Sequence, residues 1–409
     1  MNFRHLMLCL ILSSAQAQPA PPPEQIDLPA VLNLVRAGSP RIALDRQDIE
    51  LARAERRIAS ALPNPTLSYA RTRPGSGAAL FDGSRQQDLG VELPLLIGGQ
   101  RGARTEAAER GIEAAQARAQ LSANVLGAEA GTTHVALLAA QQRRQLVSEG
   151  LQELQRLRDI VAGRQASGMA SAYDLLRVDV ELVAWRNRLA DAQAEISDRQ
   201  GQLAGLLGYT DWRPQAVGEL RPLQLLADIL DVQSAPLTLA SRREEAAAVA
   251  ATEVARRERY PAVALQAGRT WTREPYGATG TLGLAVEIPL LDTRGGALDR
   301  ARAQATTASL RRQLAEATVA ADLQRYQAQV SQRRLALEAF EQDVGQRLPQ
   351  LRQMAEDAYR LGRSPVIELL DATRSRYELQ LSRIDLTAAL MEAQLRLQAT
   401  RGALVSISP

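Results

Sequence analysis

The sequence predicts a mainly α-helical protein with a small β part, in which long antiparallel coiled-coil helices accompany four β-strands. Hydrophobic residues form 45% of the 409 residues, and Ala and Leu dominate them, a composition typical of long helices and coiled coils. Two long stretches, 95–213 and 290–348, contain no proline. Short segments ahead of both stretches alternate polar and apolar residues, which is the pattern of β-strands.

Charge and composition exclude several classes of protein. The 49 basic residues, all of them Arg, nearly balance 46 acidic residues and leave a net charge of +3. This balance argues against a nucleic-acid binder, which needs a basic patch. Aromatic residues, at 3%, are too few for base-stacking platforms. One Cys and two His cannot supply a Cys/His zinc site or a disulfide framework.

The sequence offers no catalytic or cofactor-binding motif. His134 is the one His outside the first 17 residues, so the chain lacks the residues for a Ser/His/Asp triad. A lone His in an Ala-rich helix is typical of a structural role. Residues 98–102 (GGQRG) lack the spacing of a phosphate-binding loop. We therefore expect neither enzymatic activity nor a bound metal or organic cofactor.

Residues 1–17 (MNFRHLMLCLILSSAQA) have the order of a secretory signal peptide. Arg4 supplies the charged start, residues 6–12 supply the apolar run, and residues 15–17 (AQA) form the cleavage site. The apolar run is too short to span a bilayer. The mature chain is expected to begin near Gln18 and to contain no cysteine, because Cys9 leaves with the peptide.

The rest of the chain consists of two similar repeats. Residues 91–96 (VELPLL) recur as residues 286–291 (VEIPLL), 195 positions later. Five further pairs of segments or residues repeat at offsets of 194 to 196: 64–67 with 260–263, Gly168 with Gly362, 174–176 with 368–370, Leu203 with Leu397, and Gly208 with Gly402. So many anchors near one offset indicate an internal duplication.

The duplication predicts a first repeat over 18–208, a connection over 209–235 and a second repeat over 236–409. Each repeat has an amphipathic helix, then a β-hairpin, then two long helices. The predicted segments are, in order, 28–60, 65–95, 97–162 and 173–208 in the first repeat and 236–258, 261–290, 292–359 and 366–404 in the second. Pro94 and Pro289 are expected to end strands, and breaks at 163–171 and 362–365 are expected to separate the long helices.

The second strand of each hairpin alternates cleanly. Leu89, Val91 and Leu93 lie on one predicted face and Asp88, Gly90 and Glu92 on the other, and residues 281–288 repeat the pattern. The first strands alternate less well, and each has two Arg near its far end: Arg71, Arg73, Arg269 and Arg273. We expect these Arg to lie near a polar loop or to face a wet lumen.

Aromatic residues gather in or beside the strands: Tyr69, Phe81, Tyr260, Trp271 and Tyr276. Aromatic residues at strand ends form the interfacial girdles of membrane barrels. Four strands cannot close a barrel alone, and open sheet edges do not survive in lipid. The partner strands must therefore come from other copies of the chain.

The helix that returns from the first break carries a coiled-coil pattern. Five apolar residues lie seven positions apart: Leu175, Leu182, Leu189, Ile196 and Leu203. In the second repeat the pattern is interrupted by Arg376 and Arg383. Three explanations fit these two Arg. They lie on a solvated face, their aliphatic side-chain stems lie over apolar surface, or their helix faces a water-filled interior.

The ordered and duplicated set of motifs resembles the TolC-like family of outer-membrane efflux proteins. Its carriers are residues 64–68 (NPTLS), the strand endings ELPLL and EIPLL at 92–96 and 287–291, and Leu361-Gly362 followed by 366–372 (VIELLDA). The resemblance covers nearly the whole mature chain. Residues 96–101 (LIGGQR) and the compact length are most similar to the heavy-metal branch served by resistance-nodulation-division (RND) pumps.

The resemblance implies a homotrimer in the outer membrane of a Gram-negative bacterium. Each copy contributes four strands to a 12-stranded barrel in outer-membrane lipid, and the long helices continue it as a tunnel across the periplasm. A periplasmic adaptor and an inner-membrane RND transporter dock to open the closed end. The implied cargo is small substrates, with metal cations as one class.

The resemblance also implies roles for individual residues. Glu368 and Asp371 match the acidic rings that constrict the closed end, and Tyr359 matches a tyrosine of the closing network. Ser364 stands where the family's prototype has a basic partner, and Arg363 comes one position early. The implied adaptor-docking tips consist of Gly168, Met169 and Ser171 with Gly362, Arg363, Ser364 and Pro365. Acids at a helix start also suit the helix dipole.

Two alternatives fit parts of the sequence. A duct of the same family for type I protein secretion or for drugs fits all of it. A soluble periplasmic coiled-coil scaffold would explain the heptads and the signal peptide, but not the paired alternating strands.

Overall fold

The structure is a computed structural model that describes residues 22–73, 85–224, 231–272, 277–344 and 347–406. The predicted signal peptide, 1–17, lies outside the described residues, and so do Phe81, Arg273 and Tyr276.

The described chain is mostly helical, and its elements follow the duplicated order. The first half contains β1 (Gln25–Ile26), α1 (Leu28–Gly38), α2 (Pro40–Ser60), β2 (Thr66–Thr72), β3 (Gln86–Leu95), α3 (Gln100–Ala166), α4 (Ala172–Leu207) and β4 (Gln215–Ala216). The second half contains α5 (Pro236–Arg257), β5 (Ala262–Trp271), β6 (Ala278–Glu287), α6 (Gly295–Val344), α7 (Arg347–Arg360) and α8 (Val366–Arg401).

The predicted helix 28–60 is wrong in one respect, because it consists of two helices. Ser39 adopts an extended conformation between α1 and α2, with ψ of 133°. Pro40 follows as the first residue of α2, and a proline disfavours helical geometry in the residue before it. The chain therefore turns at Ser39 and starts a new helix.

The predicted break at 163–171 is also too long. Helix α3 has 67 residues and is therefore about 100 Å long at 1.5 Å per residue. It includes Gly163 and ends at Ala166, because a single glycine costs a helix only about 1 kcal/mol. The helix end is set by Gly168, whose φ of 76° is left-handed.

The coiled-coil pattern of α4 produces the packing that it predicts. Val178, Leu182, Trp185, Ile196 and Leu203 are buried. The two Arg that interrupt the pattern on α8 form ion pairs within the chain. Arg376 pairs with Glu153 of α3, and Arg383 pairs with Glu341 of α6 at 3.2 Å. The Arg376 side chain is largely buried by its pair, whereas the Arg383 side chain stays 65% exposed and lies on a solvated face of the single chain.

One antiparallel sheet contains the four long strands in the order β2-β3-β5-β6. The prediction that Pro94 ends its strand is wrong, since β3 continues to Leu95 and Pro94 lies opposite Ala264 of β5. Strand β2 pairs with β3 only as far as Glu92. Pro94 therefore lies where β3 is an edge on that side, and a residue without an N–H is tolerated there.

The helices pack in the same order as the strands. Helix α2 packs on α3, α3 packs on α5, and α5 packs on α6, while α4 and α8 pack on α3 and α8 also packs on α6. A short parallel pair, β1 with β4, lies beside the middle of α3. Among the described residues, no helix is both long and apolar enough to cross a membrane.

Candidate functional site

The two long hairpins end in tips of the same construction. In the first tip, residues 167–171, the N–H of Gly168 donates to the carbonyl of Gln165 at 3.0 Å, and the N–H of Met169 donates to the carbonyl of Arg164 at 2.8 Å. This pair of bonds around a left-handed glycine is the Schellman helix end. Met169 leaves its side chain 69% exposed.

The second tip, residues 361–365, repeats this geometry 194 positions later. Gly362 has a φ of 67° and its N–H donates to the carbonyl of Tyr359 at 3.0 Å, while Arg363 donates to Ala358 at 2.9 Å. The hydroxyl of Ser364 is buried and has no hydrogen-bond partner among the described residues.

The helices that leave the two tips begin differently. Ser171 and Asp174 form a reciprocal cap at the start of α4, in which each side chain accepts a hydrogen bond from the other residue's N–H. The counterparts of this pair, at the same offset, are Pro365 and Glu368. Pro365 makes no side-chain cap bond, so the second tip leaves the carboxylate of Glu368 without the role that Asp174 has.

Glu368 and Asp371 lie together on the exposed side of α8. They are three positions apart, a spacing that places two residues on one side of a helix. Leu369, Leu370 and Thr373 occupy the buried side. Within the described ranges neither acid forms an ion pair. Their charges therefore remain available to whatever lies in front of this face.

Tyr359 is a packing residue held by an arginine near the end of α3. The tyrosine is 6% exposed. The guanidinium of Arg164 donates to the Tyr359 carbonyl at 2.9 Å and lies 4.8 Å from the ring centroid. Arg164 thus joins the end of α3 to the end of α7. No sequence pattern pointed to this contact, because Arg164 is one of many arginines.

The sheet register separates polar from apolar residues. Directly paired residues point to the same face of a sheet, and the pairing places β2, β3, β5 and β6 in common rows. One face is mainly apolar in its middle and includes Leu67, Tyr69, Leu89, Val91, Leu93, Leu265, Trp271, Leu282, Leu284 and Val286. The opposite face consists of small and polar residues with acids and includes Thr66, Ser68, Asp88, Gly90, Glu92, Gln266, Thr270, Thr281 and Glu287.

The aromatic and basic residues of the strands share the apolar face. Tyr69 and Trp271 are 62% and 38% exposed. Arg71 lies in the row of Trp271, and Arg269 lies in the row of Tyr69, near the hairpin ends. The Arg269 guanidinium is 5.5 Å from the Trp271 ring centroid. Arg71 and Arg269 were expected either near a polar loop or facing a wet lumen. The register fits the position near a loop, and it does not place either residue on the polar face.

Among the described strand residues, the polar face carries acidic residues and no basic ones. The Asp88 carboxylate accepts hydrogen bonds from Gln86 at 2.9 Å and from Thr270 at 2.7 Å. The Glu92 carboxylate accepts one from Gln266 at 2.9 Å. Because Gln86, Thr270 and Gln266 are neutral, these hydrogen bonds do not neutralise the carboxylates of Asp88 and Glu92. In the described part of the chain, no group of three or more His, Cys, Asp and Glu could hold a metal ion.

A four-stranded sheet continued by very long hairpins of helices, with one apolar and one acidic sheet face, defines a duct-forming membrane protein rather than a scaffold. The sequence profile described as "Outer membrane efflux protein" matches residues 31–209 and 230–403. The chain belongs to the outer membrane efflux protein family. It is an outer-membrane efflux channel and not an enzyme, so the scaffold alternative is excluded.

Individual relatives agree with this assignment. The chain is 24% identical over 360 residues to the cobalt-zinc-cadmium resistance protein CzcC of Cupriavidus metallidurans, covering 86% of this chain and 84% of that protein. It is 26% identical over 311 residues to the nickel-cobalt-cadmium resistance protein NccC of Alcaligenes xylosoxydans xylosoxydans, covering 75% and 69%. The crystal structure of CusC superposes with a TM-score of 0.77 at 18% identity, covering 96% and 95%. The predicted fold class is confirmed.

Proposed function

We propose that the chain is the homotrimeric outer-membrane duct of a tripartite efflux system that exports metal cations with a periplasmic adaptor and an inner-membrane RND transporter. The observation that carries the proposal is the division of the sheet into an apolar and an acidic face. An apolar outer face suits lipid, and a polar inner face suits a water-filled lumen.

Association between copies is supported by the two unpaired edges of the described sheet, β2 and β6. Exposed strand edges are not tolerated in the hydrocarbon region, where each open N–H and C=O is costly. Pairing β2 of one copy with β6 of the next removes every edge when the ring closes. Three copies give the twelve strands that the family resemblance implies. Tyr69 and Trp271 would then lie at the membrane–water interface.

The cation cargo is supported by charge. Asp88, Glu92 and Glu287 lie on the proposed lumen face, and threefold symmetry turns each into a ring of three carboxylates. Acidic rings favour cations and repel anions. CzcC and NccC are named for resistance to cobalt, zinc, nickel and cadmium, which form divalent cations.

The proposed constriction consists of Glu368 and Asp371, with Tyr359 as a fixed support behind them. The free carboxylate of Glu368 supports this role, since the equivalent Asp174 is committed to a helix cap. The two tips, which include exposed Met169, are the proposed docking surface for the adaptor. Arg164 would make both tips respond to one docking event.

Ion selectivity in planar bilayers tests the proposal. We expect the purified protein to give a cation-selective reversal potential in a salt gradient. Glu92→Gln with Asp88→Asn should reduce the selectivity, and Glu368→Gln with Asp371→Asn should increase single-channel conductance. Asp211→Asn, an exposed acid away from both places, is the matched control and should change neither.

A second test measures the metal tolerance of the host cells. Deletion of the gene should sensitise the host to cobalt, zinc or cadmium salts. A non-selective or anion-selective channel, together with unchanged metal tolerance, would contradict the cation proposal. That result would direct attention to drug or protein export.

A further inference from the structure

We propose that Arg71 and Arg269 form a phosphate-binding patch on the lipid-facing side of the sheet, and that the ligand is the phosphorylated glycolipid of the outer leaflet, lipopolysaccharide. The inference rests on the proposed duct, because the duct decides which sheet face meets lipid and which sheet end faces the cell exterior. It assigns a ligand class to two residues for which the passage of cargo gives no role.

The register arranges the apolar face of the sheet in rows that run across the strands. Five rows are described, and each is listed here from the helix end of the sheet outward: Leu95, Val263 and Val286; Leu93, Leu265 and Leu284; Leu67, Val91, Ala267 and Leu282; Tyr69, Leu89, Arg269 and Gly280; and Arg71, Gln87, Trp271 and Ala278. The first three rows contain only apolar residues. All basic and aromatic residues in these rows lie in the last two.

This order places both Arg near the outer boundary of the lipid-covered band. Val263 and Trp271 are eight residues apart on β5, so the first and last rows are about 27 Å apart along the strand. At the tilt of about 40° that such barrels have, the rows span about 21 Å of an apolar band about 25 Å tall. Helices α3 and α6 follow the opposite ends of β3 and β6, so the last row faces the cell exterior.

The positive charges of the two Arg are not neutralised within the described chain. Both side chains are exposed, and in the described ranges neither forms an ion pair. The five rows contain no acidic residue, and Asp88 lies on the opposite face of the sheet. The guanidinium of Arg269 lies 5.5 Å from the Trp271 ring centroid, a contact that orients the group and preserves its charge.

The position and the residue type together select a phosphate ligand. A basic residue on the lipid face is costly at the middle of the bilayer and is tolerated near its surface, where the headgroup phosphates lie. A guanidinium binds a phosphate through two parallel N–H···O bonds. Clusters of basic residues beside membrane-spanning segments recognise anionic headgroups in this way. Exposed Arg73 and Arg85 add positive charge at the same end of the sheet.

The spacing of the patch suits a headgroup with more than one phosphate. Arg71 and Arg269 are separated by two strand spacings and one row, so their Cα atoms are about 12 Å apart. Gln87 is exposed and adjoins Arg71 in its row, where its amide offers donors and an acceptor to a sugar. The lipid A part of lipopolysaccharide is a disaccharide with a phosphate at each end, whereas a simple phospholipid offers one phosphate and engages one Arg.

Binding of lipid A to the detergent-solubilised protein tests the patch. We expect the unmodified protein to bind diphosphoryl lipid A saturably. Arg71→Gln with Arg269→Gln should weaken this binding at least about tenfold, because both charge-assisted contacts are lost. The matched control is Arg213→Gln with Arg334→Gln. These two arginines are exposed and lie outside the sheet, so their replacement should leave the affinity unchanged.

Two further lipids identify the group that is recognised. Lipid A from which both phosphates have been removed should bind the unmodified protein at least about tenfold more weakly than the diphosphoryl form. Phosphatidylglycerol, an anionic phospholipid, should also bind more weakly. Equal binding of phosphatidylglycerol and diphosphoryl lipid A would overturn the assignment to the glycolipid. Equal affinities of the unmodified protein and the Arg71/Arg269 double variant for diphosphoryl lipid A would overturn the patch.

Planar bilayers and light scattering separate failure of the patch from failure of the duct. If the two Arg face lipid, the double variant should keep the trimeric mass, the single-channel conductance and the reversal potential of the unmodified protein. These values would also exclude misfolding as the cause of weaker binding. Stronger cation selectivity in the double variant would place the two Arg at the lumen, which overturns the patch and leaves the duct standing. An unmodified protein that stays monomeric and forms no channel overturns both.

Discussion

Replacing Gly150 by alanine should destabilise the protein, although Gly→Ala normally stabilises a helix. Gly150 lies inside α3, and a Cβ at this position would be 1.9 Å from Cζ3 of Trp185. Trp185 is 1% exposed, its ring is 4.5 Å from that of Tyr377 in α8, and its Nε1 donates to Glu181 at 3.0 Å. The tryptophan fills the space that the missing side chain leaves.

The expected magnitude follows from two opposing effects. Removing a glycine from a helix interior gains about 1 kcal/mol. An overlap of this size cannot be relieved by a small shift, so Trp185 must leave its site, and the loss of a buried tryptophan costs about 3–5 kcal/mol. The net loss is then about 2–4 kcal/mol. Because Tyr377 loses its partner, α8 should also become looser near the proposed constriction.

Thermal unfolding followed by circular dichroism in detergent measures the effect at one fixed heating rate. The matched control is Gly111→Ala in the same helix, where the new Cβ meets nothing within 4 Å. We expect the control to melt higher and Gly150→Ala to melt lower than the unmodified protein. In bilayers, Gly150→Ala should open more often than the control. Equal increases in melting temperature for both variants would refute the packing argument.

Three further changes probe the middle and the first tip of the molecule. Burial lowers the pKa of His134, so the unfolded chain binds more protons below about pH 6.5 and stability should fall on acidification; in His134→Phe this part of the pH dependence of melting should vanish. The Gln394 side chain accepts from the N–H of Leu223 at 2.8 Å and donates to its carbonyl at 3.0 Å, so Gln394→Leu should cost about 2 kcal/mol or more, seen as a lower melting temperature. Ser171→Ala should cost about 1 kcal/mol and speed amide hydrogen exchange in the first turn of α4, whereas Ser197→Ala should not.

The sequence could predict the elements because their signals are local. Proline-free stretches and heptads such as Leu182 to Ile196 specify long helices, and the alternation around Val91 specifies a strand. Because the chain is duplicated, each of these patterns occurs once in each repeat. The predicted boundaries were wrong where two local preferences compete. Gly163 stays helical although glycine disfavours a helix, and Pro94 stays in a strand although proline disfavours one.

The faces of the sheet could not be predicted for β2 and β5, because a face depends on register. Arg71 and Arg269 interrupt the apolar pattern of their strands, so alternation alone gives no clear answer. Pairing of β3 with β5 joins residues about 180 positions apart, such as Asp88 with Thr270. Only this pairing, together with that of β5 with β6, shows that Glu287 shares a face with Asp88 and Glu92. The Arg164 contact with Tyr359 was unpredictable for the same reason.

The differences between the two repeats are more informative than their similarity. The first tip uses Ser171 and Asp174 to cap its helix, and the second tip has Pro365 and Glu368 at the same places. Proline starts a helix without a side-chain bond, so α8 forms while its acid keeps an unshared charge. A carboxylate needed only for helix capping would have kept its serine partner. Proline at position 365 therefore leaves Glu368 with its interaction with the helix dipole and with the proposed role outside its own helix. Pro365→Ser separates the two: by drawing Glu368 into a cap it should raise the melting temperature and increase the conductance of the channel together. A rise in stability without a change in conductance would show that Glu368 does not face the conduction path.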